Sequence, residues 1–250
     1  TRSVSKPENE VVIRGPQEAF VENIRINTTL IRRIINNENL IVESLKIGKV
    51  SQTMCALCYM KNIANDDLVA EAKYRLNNIN IDYLISSGQL EQLIEDNSKY
   101  SLPQIIATER PDKTATHLLE GRVVVLVNGS PYALVVPATF IDFLESSEDH
   151  NIKFQFANLL KVVRIAAFLI TLLLPGVYVA ITSFHQEFIP TELLFAIVAS
   201  RASVPFSIIF EIILMELSFE LIREAGLRVP TPIGPTLGII RCVDYWSSCC

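Results

Sequence analysis

The sequence lacks the residue patterns on which most enzymatic and nucleic-acid sites are built. It has no G-x-G-x-x-G, no P-loop and no His-Glu-x-x-His, which removes the dinucleotide, nucleoside-triphosphate and zinc-protease readings. Histidine is scarce. His117, His150 and His185 stand far apart, and each is expected to fill an ordinary surface or packing role. An excess of positive charge is also missing: Lys and Arg number 22 against 27 Asp and Glu, a net charge of −5. No nucleic-acid partner held by bulk electrostatics is expected. Five cysteines make no framework. Cys55 and Cys58 spell C-A-L-C inside the strand-like run MCALCYM, where residues three apart point to opposite faces. Zinc would also need a second ligand pair, which the sequence does not offer. No metal, cofactor or catalytic residue is expected, and both thiols read as buried.

Apolar residues, by contrast, are abundant. They make up 50% of the 250 residues, mean hydropathy is +0.32, and the excess sits in the last third. Before that, residues 1–150 read as a water-soluble domain. Val11 to Pro16 is a short extended entry broken at Gly15-Pro16. Gln17 to Asn36 has helical spacing, with Asn27 or Thr28 able to cap a second helix within it. Leu40 to Ile47 and Thr53 to Met60 read as strands, the second more buried. Asn65 is the expected N-cap of a helix over Asp66 to Leu76, whose early carboxylates suit a helix N-terminus. Gln89 to Glu95 predicts a short helix, Gln104 to Thr108 a strand, and Pro111 opens a helix to Leu119 that Gly121 ends. Arg122 to Val127 and Tyr132 to Val136 flank Asn128-Gly129, the pair a tight hairpin turn favours. Pro131 lacks a donor and is expected at the start of an edge strand. Strands alternating with helices imply an α/β or α+β layered domain.

The second part changes solvent. From Ile165 to Ile181 there is no charged residue. With Leu159 to Arg164 added, and Lys161 and Arg164 snorkelling, the run is long enough to span a bilayer. Pro175-Gly176 is expected to kink that helix. Lys153, Lys161 and Arg164 precede it, which places the soluble domain on the cytoplasmic side. Ile189 to Ser200 is apolar but short, a re-entrant or interfacial helix entered through Pro190. Val204 to Ile222 is longer and carries Glu211, Glu216 and Glu220. On a helix these lie at about 0°, 140° and 180° and do not share one face. Glu216 and Glu220 stack, and Glu220 can meet Arg223. One reading is an interfacial helix with solvated carboxylates. The other is that one of the three lines a polar path or a subunit contact. Gly226 is expected to end the helix. An α-helical membrane domain therefore begins within 151–238.

One resemblance covers most of the chain. VVIRGPQEAFVENIRINTTLIRR, LKIGKVSQT, KNIAN, LIEDN, TERPDK, LLEGRVVVLVNGSPYALVVPATFIDFLESSED, TSFHQEFIPTELL, SRASVPF and MELSFELIREAGLRVPTPIG occur in order from Val11 to Gly238. Together they resemble the GerA family of spore germination proteins, the A subunits of nutrient germinant receptors. Stage V sporulation AF-type proteins share the pattern. The resemblance implies a cytosolic, core-side N-terminal domain and an integral domain in the spore inner membrane. It implies B-type and C-type receptor subunits as partners beside membrane lipid, and it admits a homo-oligomer that conducts ions. It implies no enzymatic activity.

Two departures from the family pattern stand out. The chain starts Thr1-Arg2 beyond most of a further N-terminal subdomain, which reads as a fragment or processed boundary. It ends IIRCVDYWSSCC where an apolar helix is expected. A one-base shift near Ile240 is compatible with that ending: read one base later, Trp246 must give Gly, and Asp244 and Tyr245 give only Ile or Thr. Residues 239–250 are thus expected to be a frameshift tail, and Cys242, Trp246, Cys249 and Cys250 need no role. The alternative to a receptor subunit is a transporter or channel-type membrane protein with a cytoplasmic regulatory domain.

Overall fold

A computed structural model describes residues 7, 9–10, 12, 15–96, 103–146, 148–201 and 206–228. Residues 11, 13 and 14 of the expected extended entry from Val11 to Pro16, the start of the last helix at Val204 and the tail 239–250 lie outside these residues. The chain divides into two compact units, Thr1–Ile165 and Ala166–Cys250.

The first unit is built on one five-stranded sheet, ordered β1-β2-β4-β5-β3. The strands are β1 Leu40–Ile47, β2 Thr53–Met60, β3 Ile106–Thr108, β4 Val123–Val127 and β5 Ala133–Val136. Every pairing is antiparallel, so the domain is of the α+β kind. Helices cover both faces. On one, α1 (Ile24–Ile34) and α4 (Pro111–Leu119) supply Leu30, Ile31, Ala115 and Leu118, which pack on Ala56, Cys58, Val124 and Leu126. On the other, α2 (Asp66–Asn78) and α3 (Ser87–Ile94) supply Val69, Leu76, Leu90 and Ile94 against Cys55, Leu57, Val123 and Val125. A strand enclosed on both faces needs no polar alternation, which is why β4 is VVVLV and wholly buried.

Local signals explain most boundaries. Asn65 Oδ1 accepts from the Asp67 amide, and Ser86 caps α3. Gly121 takes a φ of 88°, and a Cβ there would meet the Ile63 carbonyl oxygen at 2.8 Å. Glycine is therefore required twice over.

Three expectations need correction. Gln17–Asn36 holds one helix, not two, and its cap is Asn23, whose side chain accepts from Arg25 N. Asn27 lies inside the helix, where its amide donates to the Asn23 carbonyl. Its buried side chain grips the backbone of Val21 through bonds of 2.6 and 2.8 Å. The β4–β5 link is not a two-residue turn. Leu126 pairs with Ala133, leaving 127–132 as the connection. Asn128 and Gly129 instead bind outward: Asn128 N donates to Met54 O, and Gly129 N to Glu22 O at 2.7 Å. Pro131 leads into β5, which is an interior strand; β1 and β3 are the edges. Because Pro131 precedes the first paired residue, its missing donor costs the ladder nothing.

The second unit is helical. Helix α5 (Phe154–Phe184) begins in the first unit and continues into it. Its 31 residues, at about 1.5 Å each, reach about 46 Å. It is the one helix among the described residues long and apolar enough to cross a membrane. Helix α6 is Thr191–Arg201 and α7 is Ile208–Arg228. Pro175-Gly176, where a kink is expected, lies inside α5, and α7 continues past Gly226, the expected terminus. Thr171, Thr182 and Ser218 return their hydroxyls to carbonyls three or four residues earlier. Such bonds back to the preceding turn satisfy a hydroxyl within the helix itself.

Candidate functional site

The three carboxylates singled out in the sequence all lie on α7 but form no cluster. Glu211 stands in its first turn and is partly covered. Glu216 and Glu220 are exposed. The expected partner of Glu220 is present, since Arg223 Nη2 donates to its Oε1. Helical geometry keeps Glu211 about half a turn away from this pair.

A denser charged site lies in the first unit, in the connector between β5 and α5. Thr139 opens a 3-10 turn, Phe140–Phe143, through a capping box. Asp142 Oδ2 accepts from the Thr139 amide at 2.6 Å and its hydroxyl at 2.7 Å. The Asp142 carboxylate also takes a two-pronged bond from Arg122, at 2.6 and 2.8 Å. Burial pushes against ionisation of Asp142, but the Arg122 and Thr139 bonds outweigh it and hold its carboxyl well below the usual range. Ser146 and Asp149 repeat the spacing: the Ser146 amide donates to Asp149 Oδ2 at 2.9 Å.

The connector is then tied to the first turns of α5. Lys161 Nζ donates to Glu145 at 2.6 Å. Arg164 Nη1 donates to Asp149 at 2.9 Å and also reaches the Leu144 carbonyl. Burial again opposes ionisation at Asp149, and the Arg164 and Ser146 bonds win, lowering its pKa. Lys161 and Arg164, one helical turn apart, are thus both paired with connector carboxylates. Sequence reasoning missed this site. Its signal was legible as two T/S-x-x-D boxes followed by two basic residues at i, i+3.

Beside the connector is a pocket of about 170 Å³ lined by Asp112, Lys113, His117, Asp142 and Glu145 among others. His117 is buried on α4 and lines this pocket, with Nδ1 3.1 Å from Glu120. His185 is exposed and meets the Phe188 ring edge-on. The side chain of His150 lies outside the described residues. Cys55 and Cys58 face opposite sides of the sheet, and burial pushes each thiol up to about 12. Neither supplies a thiolate near neutral pH. The TERPDK block is structural: the fully buried Arg110 forks onto Asp112 and reaches the carbonyls of Glu10 and Pro16.

The family model described as Bacillus/Clostridium GerA spore germination protein matches residues 1–243. Spore germination protein KA of Bacillus subtilis (strain 168) is 44% identical over 239 residues, 96% of this chain and 44% of that protein. Spore germination protein B1 of the same organism is 45% identical over 240 residues, 96% of this chain and 50% of that one. This chain thus spans about half the length of the curated relatives it matches. Among solved structures, the N-terminal domain of the A subunit of the Bacillus megaterium spore germinant receptor GerK3 is 48% identical. It covers 49% of this chain and 97% of its own, with a TM-score of 0.41.

Proposed function

The chain belongs to the Bacillus/Clostridium GerA spore germination family, and from that premise we propose that it is a membrane subunit of a spore nutrient germinant receptor. It couples germinant sensing to ion release. The sheet domain lies on the cytoplasmic, core side of the spore inner membrane, and α5 is a membrane span. B-type and C-type receptor subunits and lipid are its partners, and Glu211, Glu216 and Glu220 belong to a polar membrane path or a subunit contact. The protein is not an enzyme.

The observation that carries the membrane reading is α5. A helix of 31 residues, uncharged from Ile165 to Ile181, leaves its leucines exposed, which water would not tolerate on a folded protein of this size. The connector supports the coupling. Two ion pairs tie the sheet domain to that helix at its last charged turn, so a movement of the domain is handed to the span. The test is made in spores. Deletion of the gene should abolish or slow ion release for at least one nutrient, and the intact gene should restore it. Unchanged release for every nutrient that triggers the parent spores counts against the reading.

A further inference from the structure

The turn Phe140–Phe143 is inverted with respect to water. Its one carboxylate, Asp142, points inward and is bonded to Arg122. Its three apolar residues point out: Phe140, Ile141 and Phe143 are 53%, 63% and 43% exposed. In a 3-10 turn residues i and i+3 fall on one side, so Phe140 and Phe143 share a face. Single exposed apolar residues need no account, but three of four on one turn do.

The ties of the connector fix where this turn sits. Leu144, which caps it, gives its carbonyl to Arg164. Glu145, the next residue, holds Lys161. Arg164 is the last charge before the uncharged run that starts at Ile165. The turn is thereby held level with the point where α5 loses its charges. Phe154 and Phe156, also exposed, stand at the start of the same helix.

We propose that Phe140, Ile141 and Phe143 form a foot that inserts into the headgroup–acyl boundary of the same membrane leaflet that α5 enters. The occupant of this surface is lipid. Apolar and aromatic side chains on a short amphipathic segment favour that layer, and the surface is continuous through Arg164 with the helix read as the span. The Arg122–Asp142 fork holds the turn's polar side to the sheet, so the foot fixes the height of the domain over the bilayer. This inference rests on the membrane reading of α5.

The test uses the full chain, with its one tryptophan removed by Trp246→Phe. It is reconstituted in phosphatidylcholine vesicles containing a minor share of phosphatidylglycerol. Phe143→Trp reports on the foot, Phe140→Trp repeats the measurement should the first variant fold poorly, and Phe168→Trp reports on the span. Brominated lipid should remove most of the emission from both the foot and the span, at every protein-to-lipid ratio. Foot emission at the aqueous wavelength, quenched by iodide and not by brominated lipid, overturns the proposal while a quenched Phe168→Trp leaves the span intact. Foot emission shielded from both quenchers but changing with protein-to-lipid ratio overturns it in favour of a second copy. An unquenched Phe168→Trp removes the membrane reading itself, and the foot with it.

Discussion

The same side chains do opposite things in the two regions of this molecule. In the sheet domain, Val123 to Val127 are wholly buried between two helical layers. On α5, Leu172, Leu173 and Leu174 are 66%, 58% and 60% exposed. Polar groups diverge as well. In the connector, Asp142 and Asp149 are buried and matched to guanidinium groups, whereas on α7 two of the three carboxylates are exposed. The sheet domain hides apolar surface inside itself; the helical region, under the proposed membrane reading, leaves its apolar surface for another medium. Both regions are rich in Val, Leu and Ile, and beside the uncharged run from Ile165 to Ile181 what separates them is whether the chain supplies its own cover.

The sharpest way to break that comparison is to put one charge in each region. Leu126→Asp strands a carboxylate in the sheet's interior, 1% exposed in the parent, and should cost more than about 4 kcal/mol. The sheet domain should lose its protease resistance. Leu173→Asp should leave that resistance unchanged and instead reduce the share of chain that stays with membranes after alkaline washing. If Leu173→Asp also unfolds the sheet domain, the two regions are not independent in the way their burial suggests.

Much of this contrast was legible in the sequence, for local reasons. β1, β2, α2 and α4 fall close to where pattern and punctuation put them, because Pro111 and Gly121 act through their own backbone and Asn65 caps α2 with its own side chain. The errors share a different cause. Asn128-Gly129 has the composition of a tight turn, yet Met54 and Glu22 recruit its amides from far along the chain. Asn27 has the composition of a cap, yet Val21 takes its side chain. Gly226 has the composition of a helix terminator, yet α7 continues through it. The connector was missed for a related reason. Its two T/S-x-x-D boxes stand in the sequence, but only the fold shows that Arg122, Lys161 and Arg164 are their partners.

A smaller effect sharpens the electrostatic half of the comparison. Arg122→Ala leaves Asp142 buried without its partner and should cost about 3 kcal/mol. Replacing both, as Arg122→Met with Asp142→Leu, should recover most of that loss, since neither charge then remains unpaired. The pH dependence follows the same pair. The folded pKa of Asp142, and that of Asp149, lies below the ordinary 3.8. Their contribution is therefore full above the unfolded value and is lost as pH falls through about 4 and below. Urea midpoints measured against pH should drop in that window, and Asp142→Asn should flatten part of the drop. A parent midpoint that does not change through that window contradicts the pairing.

The smallest structural effect is expected on α7, and it is the most informative about function. Glu220 and Arg223 are both exposed, so Glu220→Gln should change stability by no more than about 0.5 kcal/mol. The same holds for Glu216→Gln, whose carboxylate is exposed as well. A structural role would end there. A role in a polar membrane path would not, because removing a fixed negative charge from such a path raises the energy of a cation passing it even where folding is untouched. Glu211→Gln, Glu216→Gln and Glu220→Gln should therefore be compared for germinant-triggered ion release at equal receptor abundance. Slowed release in any one, with unaltered stability, assigns that carboxylate to the path. Unchanged release in all three leaves α7 a helix with solvated carboxylates, and the ion path must then be sought elsewhere in the receptor.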